Sequence, residues 1–135
     1  MSPKSDTRTF KLNKLVRDKI VRHHLNMAGQ VDYTTLTGNK LNQALIQKLI
    51  EEAKELKSSA VSAAELADLQ EILDQLAKNL KLSPAELKKL QSKKIAENGG
   101  FAKGHYIKTV TLAADNKWAQ YYAADPQRFP EIKND

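Results

Sequence analysis

Cysteine is absent from the chain, which removes disulfides, thiolate nucleophiles and cysteine-based zinc sites together; any metal must be held by oxygen or imidazole. Such donors suit a hard cation, Mg²⁺ first and Mn²⁺ second. Aromatic residues are few, with one Trp, four Tyr and three Phe among 135 residues. The 41% hydrophobic fraction comes instead mainly from Leu, Ala and Ile, the composition of packed helices rather than of a β-sandwich. No run of about 18 apolar residues occurs, and the stretch MSPKSDTRTFKLNK lacks the apolar segment of a signal peptide. Neither membrane insertion nor secretion is expected, and the cytoplasm is the expected location.

A long basic block is missing too. The net charge is +6, but lysines and arginines are spread along the chain, with adjacent pairs at Lys88-Lys89 and Lys93-Lys94. No aromatics interleave with them as a platform for single-stranded nucleic acid requires. Direct nucleic-acid binding is disfavoured, leaving a small phosphate ligand as the other polyanion the charge would suit.

What is present is helical periodicity, in a length that suits one domain, residues 1–135. A polar arm, residues 1–10, precedes a short basic amphipathic helix expected from residue 13 to about 26, its apolar side formed by Leu15, Val16, Ile20, Val21 and Leu25. Ala28-Gly29-Gln30 ends it, and residues 31–36 read as a brief β-prone connector closed by Gly38-Asn39. Residues 41–57 and 63–80 each carry one apolar stripe at helical spacing. The link between them, Ser58-Ser59-Ala60-Val61-Ser62, is short enough to impose an antiparallel αα-hairpin.

Ser83-Pro84-Ala85-Glu86 starts a third long helix with an N-cap serine, an N1 proline and a capping-box glutamate, and Asn98-Gly99-Gly100 stops it. Residues 101–112 alternate and are rich in β-branched side chains, so a strand or an extended arm is expected. The tail concentrates Trp118, Tyr121, Tyr122 and Phe129 in a segment too short for its own domain, expected to pack over the bundle or a neighbouring subunit. The expected fold class is all-α: a helical bundle built on the hairpin, with a short extended C-terminal segment.

Within the hairpin, four acidic residues fall where solvated surface charge is not expected. Turning about 100° per residue from Leu41 puts Leu45, Leu49 and Leu56 at about 40°, 80° and 60°. Glu52, at about 20°, lies inside that stripe and Glu55, at about 320°, on its edge, while Glu51 lies farther out at about 280°. On the next helix, counted from Glu65, the apolar residues span about 340° to 100°, so Glu65 is inside the stripe and Asp68, at about 300°, borders it. Glu71 and Asp74 turn away. The residue numbers of Glu55 and Glu65 add to the same total as those of Glu52 and Asp68, so each pair faces across the hairpin.

Four carboxylates on a largely apolar interface repel one another unless a cation neutralises them, and a divalent metal is the simplest remedy. Glu65 has a second reading, because Ser62-Ala63-Ala64-Glu65 is also a capping box. His23, His24 and His105 show no pairing that suggests a metal site or a triad.

The order Lys14-Leu15-Val16-Arg17-Asp18-Lys19-Ile20, then Lys48-Leu49-Ile50-Glu51-Glu52-Ala53-Lys54-Glu55-Leu56, then Glu65-Leu66-Ala67-Asp68, then Gly99-Gly100-Phe101 resembles the MazG-like, phosphoribosyl-ATP pyrophosphohydrolase-like branch of the all-α NTP pyrophosphatases. The resemblance covers roughly residues 11–107 and leaves 108–135 without a motif; Asn98 stands where similar sequences often carry arginine. It implies hydrolysis between the α- and β-phosphates of a nucleoside triphosphate, with Glu52, Glu55, Glu65 and Asp68 matching the metal-binding ExxE and ExxD positions. In such an enzyme Glu52 or Glu55 would take the proton of the attacking water. Lys14, Arg17, Lys19 and Lys94 are candidates to meet the phosphate charge.

A lone hairpin leaves one face of each helix open, so a homo-oligomer, dimer or tetramer, is expected. The competing class is a non-enzymatic helical interaction module.

Overall fold

The computed structural model describes residues 6–58, 60 and 62–133. Residues 1–5 of the expected polar arm, and Ser59 and Val61 of the expected link, lie outside them. Among the described residues the chain is all-α: α1 (Ile20–Asn26), α2 (Gly38–Ser58), α3 (Ala63–Asn79), α4 (Pro84–Asn98) and α5 (Lys117–Ala123), with no strand. Two compact units divide it, Met1–Glu97 and Asn98–Asp135.

In the first unit α2 and α3 pack on each other as the expected antiparallel hairpin. Ser62 starts α3 from an extended backbone, and its Oγ accepts from the Glu65 N–H at 3.2 Å, so one otherwise orphaned donor of the first turn is satisfied. The hairpin centre is small. Leu45 of α2 and Ile72 of α3, 5% and 7% exposed, are the buried hydrophobic residues among those described.

At the end of the hairpin away from the link, three amides form a chain. Gln75 Nε2 donates to Asn79 Oδ1 and Asn79 Nδ2 donates to Asn42 Oδ1, both at 2.9 Å. The numbers of Asn42 and Asn79 total one more than those of Glu52 and Asp68, so this contact agrees to within a residue with the facing register expected from the sequence.

The ends of α1 and α3 share one device. After α3, Leu82 N–H reaches Ala77 O and Lys81 N–H reaches Lys78 O, both at 2.9 Å, with Lys81 at φ +59°. After α1, Gly29 N–H reaches His24 O at 3.0 Å and Ala28 N–H reaches Leu25 O at 3.2 Å, with Ala28 at φ +59°. Both are Schellman caps in which a non-glycine residue takes the left-handed position. Gly29 is required for a different reason: a Cβ there would sit 2.8 Å from His24 O.

Helix α1 is shorter than expected, beginning at Ile20 rather than near residue 13. Asn13 adopts φ +46°, outside the helical region, and Lys19 at the N-cap position makes no side-chain cap. Helix α4 follows its sequence signals closely: Ser83 Oγ accepts from Glu86 N–H at 3.1 Å, Pro84 is the first helical residue, and Gly99 at φ +80° follows the last. All its side chains are exposed.

In the second unit, residues 101–112 form no strand; after a turn at residues 102–103 they run as irregular, exposed chain. Without a second strand to pair with, alternation alone does not make a sheet. Helix α5 was not expected. Asn116 caps it, Oδ1 accepting from Trp118 N–H at 2.8 Å. Its aromatic side chains make a local cluster, closest between Tyr122 and Phe129, whose ring centroids are 4.9 Å apart at 67°. The Arg128 guanidinium lies 4.8 Å from the centre of the Phe129 ring, a cation–π contact at the edge of the cluster.

Candidate carboxylate site on the hairpin

Leu45 and Ile72, the buried residues of the two helices, serve as a reference for where the acidic side chains emerge. Counting about 100° per residue, Glu52 lies about 20° and Glu55 about 80° to one side of Leu45, and Asp68 about 40° to the corresponding side of Ile72. Glu65 stays within about 20° of the Ile72 direction. The acidic set therefore occupies the seam and one edge of the hairpin. Glu52, Glu65 and Asp68 are half-buried and Glu55 is exposed.

Two cations of the same chain serve this edge. Arg17 Nη2 donates to Asp68 Oδ1 at 2.6 Å, tying the segment before α1 to α3. Lys48 Nζ lies 3.5 Å from Glu52 Oε1, one turn earlier on α2, with only 22% and 13% of the two side chains exposed. Glu55 and Glu65 also have interaction partners. The N–H of Glu65 is the one that Ser62 caps, so the capping role read from the sequence is present in its first half.

The oxygen-only donor set has the chemistry for a hard divalent cation. Its arrangement differs from a metal centre: no three carboxylate or imidazole groups among the described residues are gathered so as to hold an ion. Asp68 and Glu52 are instead neutralised in place by Arg17 and Lys48. For these two carboxylates the side-chain cations offset part of the repulsion that the sequence pattern raised.

Of the four basic residues expected to meet phosphate, Arg17 alone is seen in contact with the acidic edge. Lys14 and Lys19 are exposed on the same N-terminal segment. Lys94 is exposed on α4, which does not pack on the hairpin. Two shallow hollows of the first unit, one lined by Asp18, Val21, Arg22, Leu25, Asn26 and Tyr33 and one by Thr37, Gly38, Leu41, Asn42 and Asn79, include none of these eight residues. The three histidines are exposed.

Sequence reasoning missed the role of Lys48. Its signal was available, because a lysine four residues before a glutamate on a helix is placed to pair with it. The Arg17–Asp68 contact spans 51 positions and has no local signal. No helix among the described residues is long and apolar enough to cross a membrane. No protein-family model, curated protein or solved structure matches the chain.

Proposed function

We propose that the chain is a Mg²⁺-dependent nucleoside triphosphate pyrophosphohydrolase of the cytoplasm, working as a homo-oligomer and cleaving the α–β phosphate bond to give a nucleoside monophosphate and pyrophosphate, in the manner of nucleotide-pool house-cleaning. The observation that carries the reading is the antiparallel packing of α2 on α3, which brings the helices bearing the ExxE and ExxD segments side by side; the order and spacing of those segments are what the resemblance rests on. Mg²⁺, or Mn²⁺ in its place, would supply charge neutralisation to the phosphates when held by Glu52, Glu55, Glu65 and Asp68. Such binding requires the four carboxylates to draw together from the arrangement described above.

The chain's own contribution is positional. Arg17, already at the acidic edge, and Lys14 and Lys19 on the same segment would bind phosphate oxygens; Lys94 joins them only if α4 approaches the seam. Glu52 or Glu55 would accept the proton of the attacking water.

Titration of Mg²⁺ against a panel of canonical and modified nucleoside triphosphates, with pyrophosphate detection, tests the reading directly. Pyrophosphate release dependent on the metal supports it. Absence of turnover across the panel together with absence of metal binding by calorimetry would sink it.

A second reading, a non-enzymatic helical interaction module, is favoured by the pairing of Asp68 with Arg17 and of Glu52 with Lys48, which leaves those carboxylates neutralised without a metal. The same titration separates the two.

A further inference from the structure

The hollow beside α1 carries chemistry that the carboxylate edge does not use. Asp18 stands in the turn that leads into α1, where Ile20 N–H reaches Arg17 O at 3.0 Å, and Arg22 and Asn26 follow one and two turns on. Counting about 100° per residue, Asp18 and Asn26 lie about 40° to either side of Arg22, and Leu25 and Val21 form an apolar row about 60° and 100° round from it. Beyond the left-handed turn at Ala28 the chain comes back, and Tyr33 lines the hollow opposite these rows.

The hollow has a volume of about 440 Å³, within the range of roughly 300–1,000 Å³ that takes a small ligand. Leu25 and Tyr33 are 51% and 59% exposed, so an aliphatic side chain and a phenol ring both keep bare apolar surface there. Among the described residues no ion pair joins Asp18 to Arg22, although one turn separates them.

We infer that this hollow is a base subsite for a guanine nucleotide: the ring lies between Tyr33 and the Val21–Leu25 row, Asp18 accepts from its N1–H and 2-amino group, and Arg22 donates to its O6 and N7.

Three features select that ligand. A phenol ring opposite an aliphatic row makes a slot that a flat ring covers on both faces. A carboxylate and a guanidinium that do not pair with each other call for a ring with adjacent donors on one edge and adjacent acceptors on the next. Guanine has both, because N1–H and the 2-amino group suit a carboxylate, and O6 and N7 suit a guanidinium fork. Adenine reverses the pattern, setting its N1 acceptor against Asp18 and its 6-amino donor against Arg22. Cytosine offers the carboxylate a single amino group and covers less of the slot. The third feature is position: Asp18 follows Arg17 directly, so the phosphates of a nucleotide seated here come within reach of Arg17 at the acidic edge. The inference deepens the proposed hydrolase by naming its base, and it rests on that reading for the nucleotide to be a substrate.

Guanosine, adenosine, cytidine and xanthosine monophosphates share sugar and phosphate and lack the bond that the hydrolase would cleave. Each is titrated without Mg²⁺ into the full chain, with amide chemical shifts giving affinity and location. The expected result is guanine bound at least about 10-fold more tightly than adenine or cytosine, with shifts centred on residues 18–26 and Tyr33. Asp18→Asn should abolish that preference and gain xanthine binding, because an amide donates to the 2-oxo group where the carboxylate accepted from the 2-amino group. Tyr33→Ala should weaken all four bases and, lying outside α1, decides the matter if Asp18→Asn loses that helix. Equal affinity for the bases, no binding of the guanine nucleotide, shifts centred elsewhere, or an unchanged guanine preference in folded Asp18→Asn would overturn the inference. Metal-dependent pyrophosphate release without base preference would overturn the subsite and leave the hydrolase; guanine preference without any turnover would do the reverse.

Discussion

Arg17 and Asp68 meet at 2.6 Å between a non-helical segment and the second residue row of α3, joining parts of the chain 51 positions apart. Their side chains are 60% and 43% exposed, so water and salt screen the attraction. A double-mutant cycle on Arg17→Ala and Asp68→Asn should therefore give a coupling of no more than about 1 kcal/mol, decreasing as salt is raised. Urea denaturation at low and high ionic strength measures it. A salt-independent coupling well above that size would mean that the pair is shielded from water.

Of the three described non-glycine residues with positive φ, Asn13, Ala28 and Lys81, two end helices. Lys81 and Ala28, both at φ +59°, end α3 and α1. A side chain there costs about 1–2 kcal/mol, partly offset by the lower chain entropy of a non-glycine residue in the unfolded state. Lys81→Gly should raise the stability of the hairpin by about 0.5–1 kcal/mol. Gly29→Ala should lower helix content, because its Cβ would meet His24 O at 2.8 Å. Thermal melts of the two variants should move in opposite directions.

Ser62 and Ser83 each accept from the N–H three residues on, Glu65 at 3.2 Å and Glu86 at 3.1 Å. Replacing either with alanine should cost about 1 kcal/mol. The two should differ in what they affect: Ser62→Ala weakens the packed hairpin and its cooperative unfolding, whereas Ser83→Ala frays an exposed helix. Hydrogen exchange localised to residues 63–66 in one case and 84–87 in the other checks this.

Those caps were legible in the sequence because each is decided within four residues. The hairpin was legible for a similar reason, since two periodic stripes and a five-residue link leave little choice of topology. The start of α1 was not, because the apolar spacing of Leu15 and Val16 continues the pattern of Ile20 and Val21 while the backbone at Asn13 leaves the helical region. Helix α5 has only seven residues, too few for periodicity to register, and its Asn116 cap was the available signal. For the carboxylates, a helical wheel gives the direction of each side chain from its own axis. It does not report which cation arrives from elsewhere, so the placement of Glu52 and Asp68 at the seam was readable and the arrival of Arg17 was not.

Phe129 holds the aromatic cluster of the second unit together, touching Tyr121 at 5.9 Å and Tyr122 at 4.9 Å between ring centres while Arg128 covers its face. Trp118 reaches the cluster through the same two tyrosines. Phe129→Ala should remove about 1–2 kcal/mol of ring packing from this part of the chain. The single tryptophan reports the change: its emission should shift to the red, while the helicity of α2 and α3 stays as it was. Unchanged emission would place the stability of α5 in its Asn116 cap instead.

Glu52→Gln separates the enzymatic reading from the structural one. The Glu52 side chain is 13% exposed and lies 3.5 Å from Lys48, and glutamine keeps its volume while removing its charge. If the carboxylate serves only to balance Lys48, the variant loses stability, on the order of 1 kcal/mol, because a largely covered ammonium is left without its partner. Lys48→Met should then restore part of that loss by removing the other charge. If Glu52 instead holds Mg²⁺ or takes the proton of the attacking water, turnover should fall by at least about 100-fold with the melting temperature little changed. In that case Lys48→Met rescues nothing. Measuring stability and Mg²⁺-dependent pyrophosphate release on the same three proteins distinguishes these outcomes, because charge balance predicts a loss that the second substitution repairs and catalysis predicts one that it cannot.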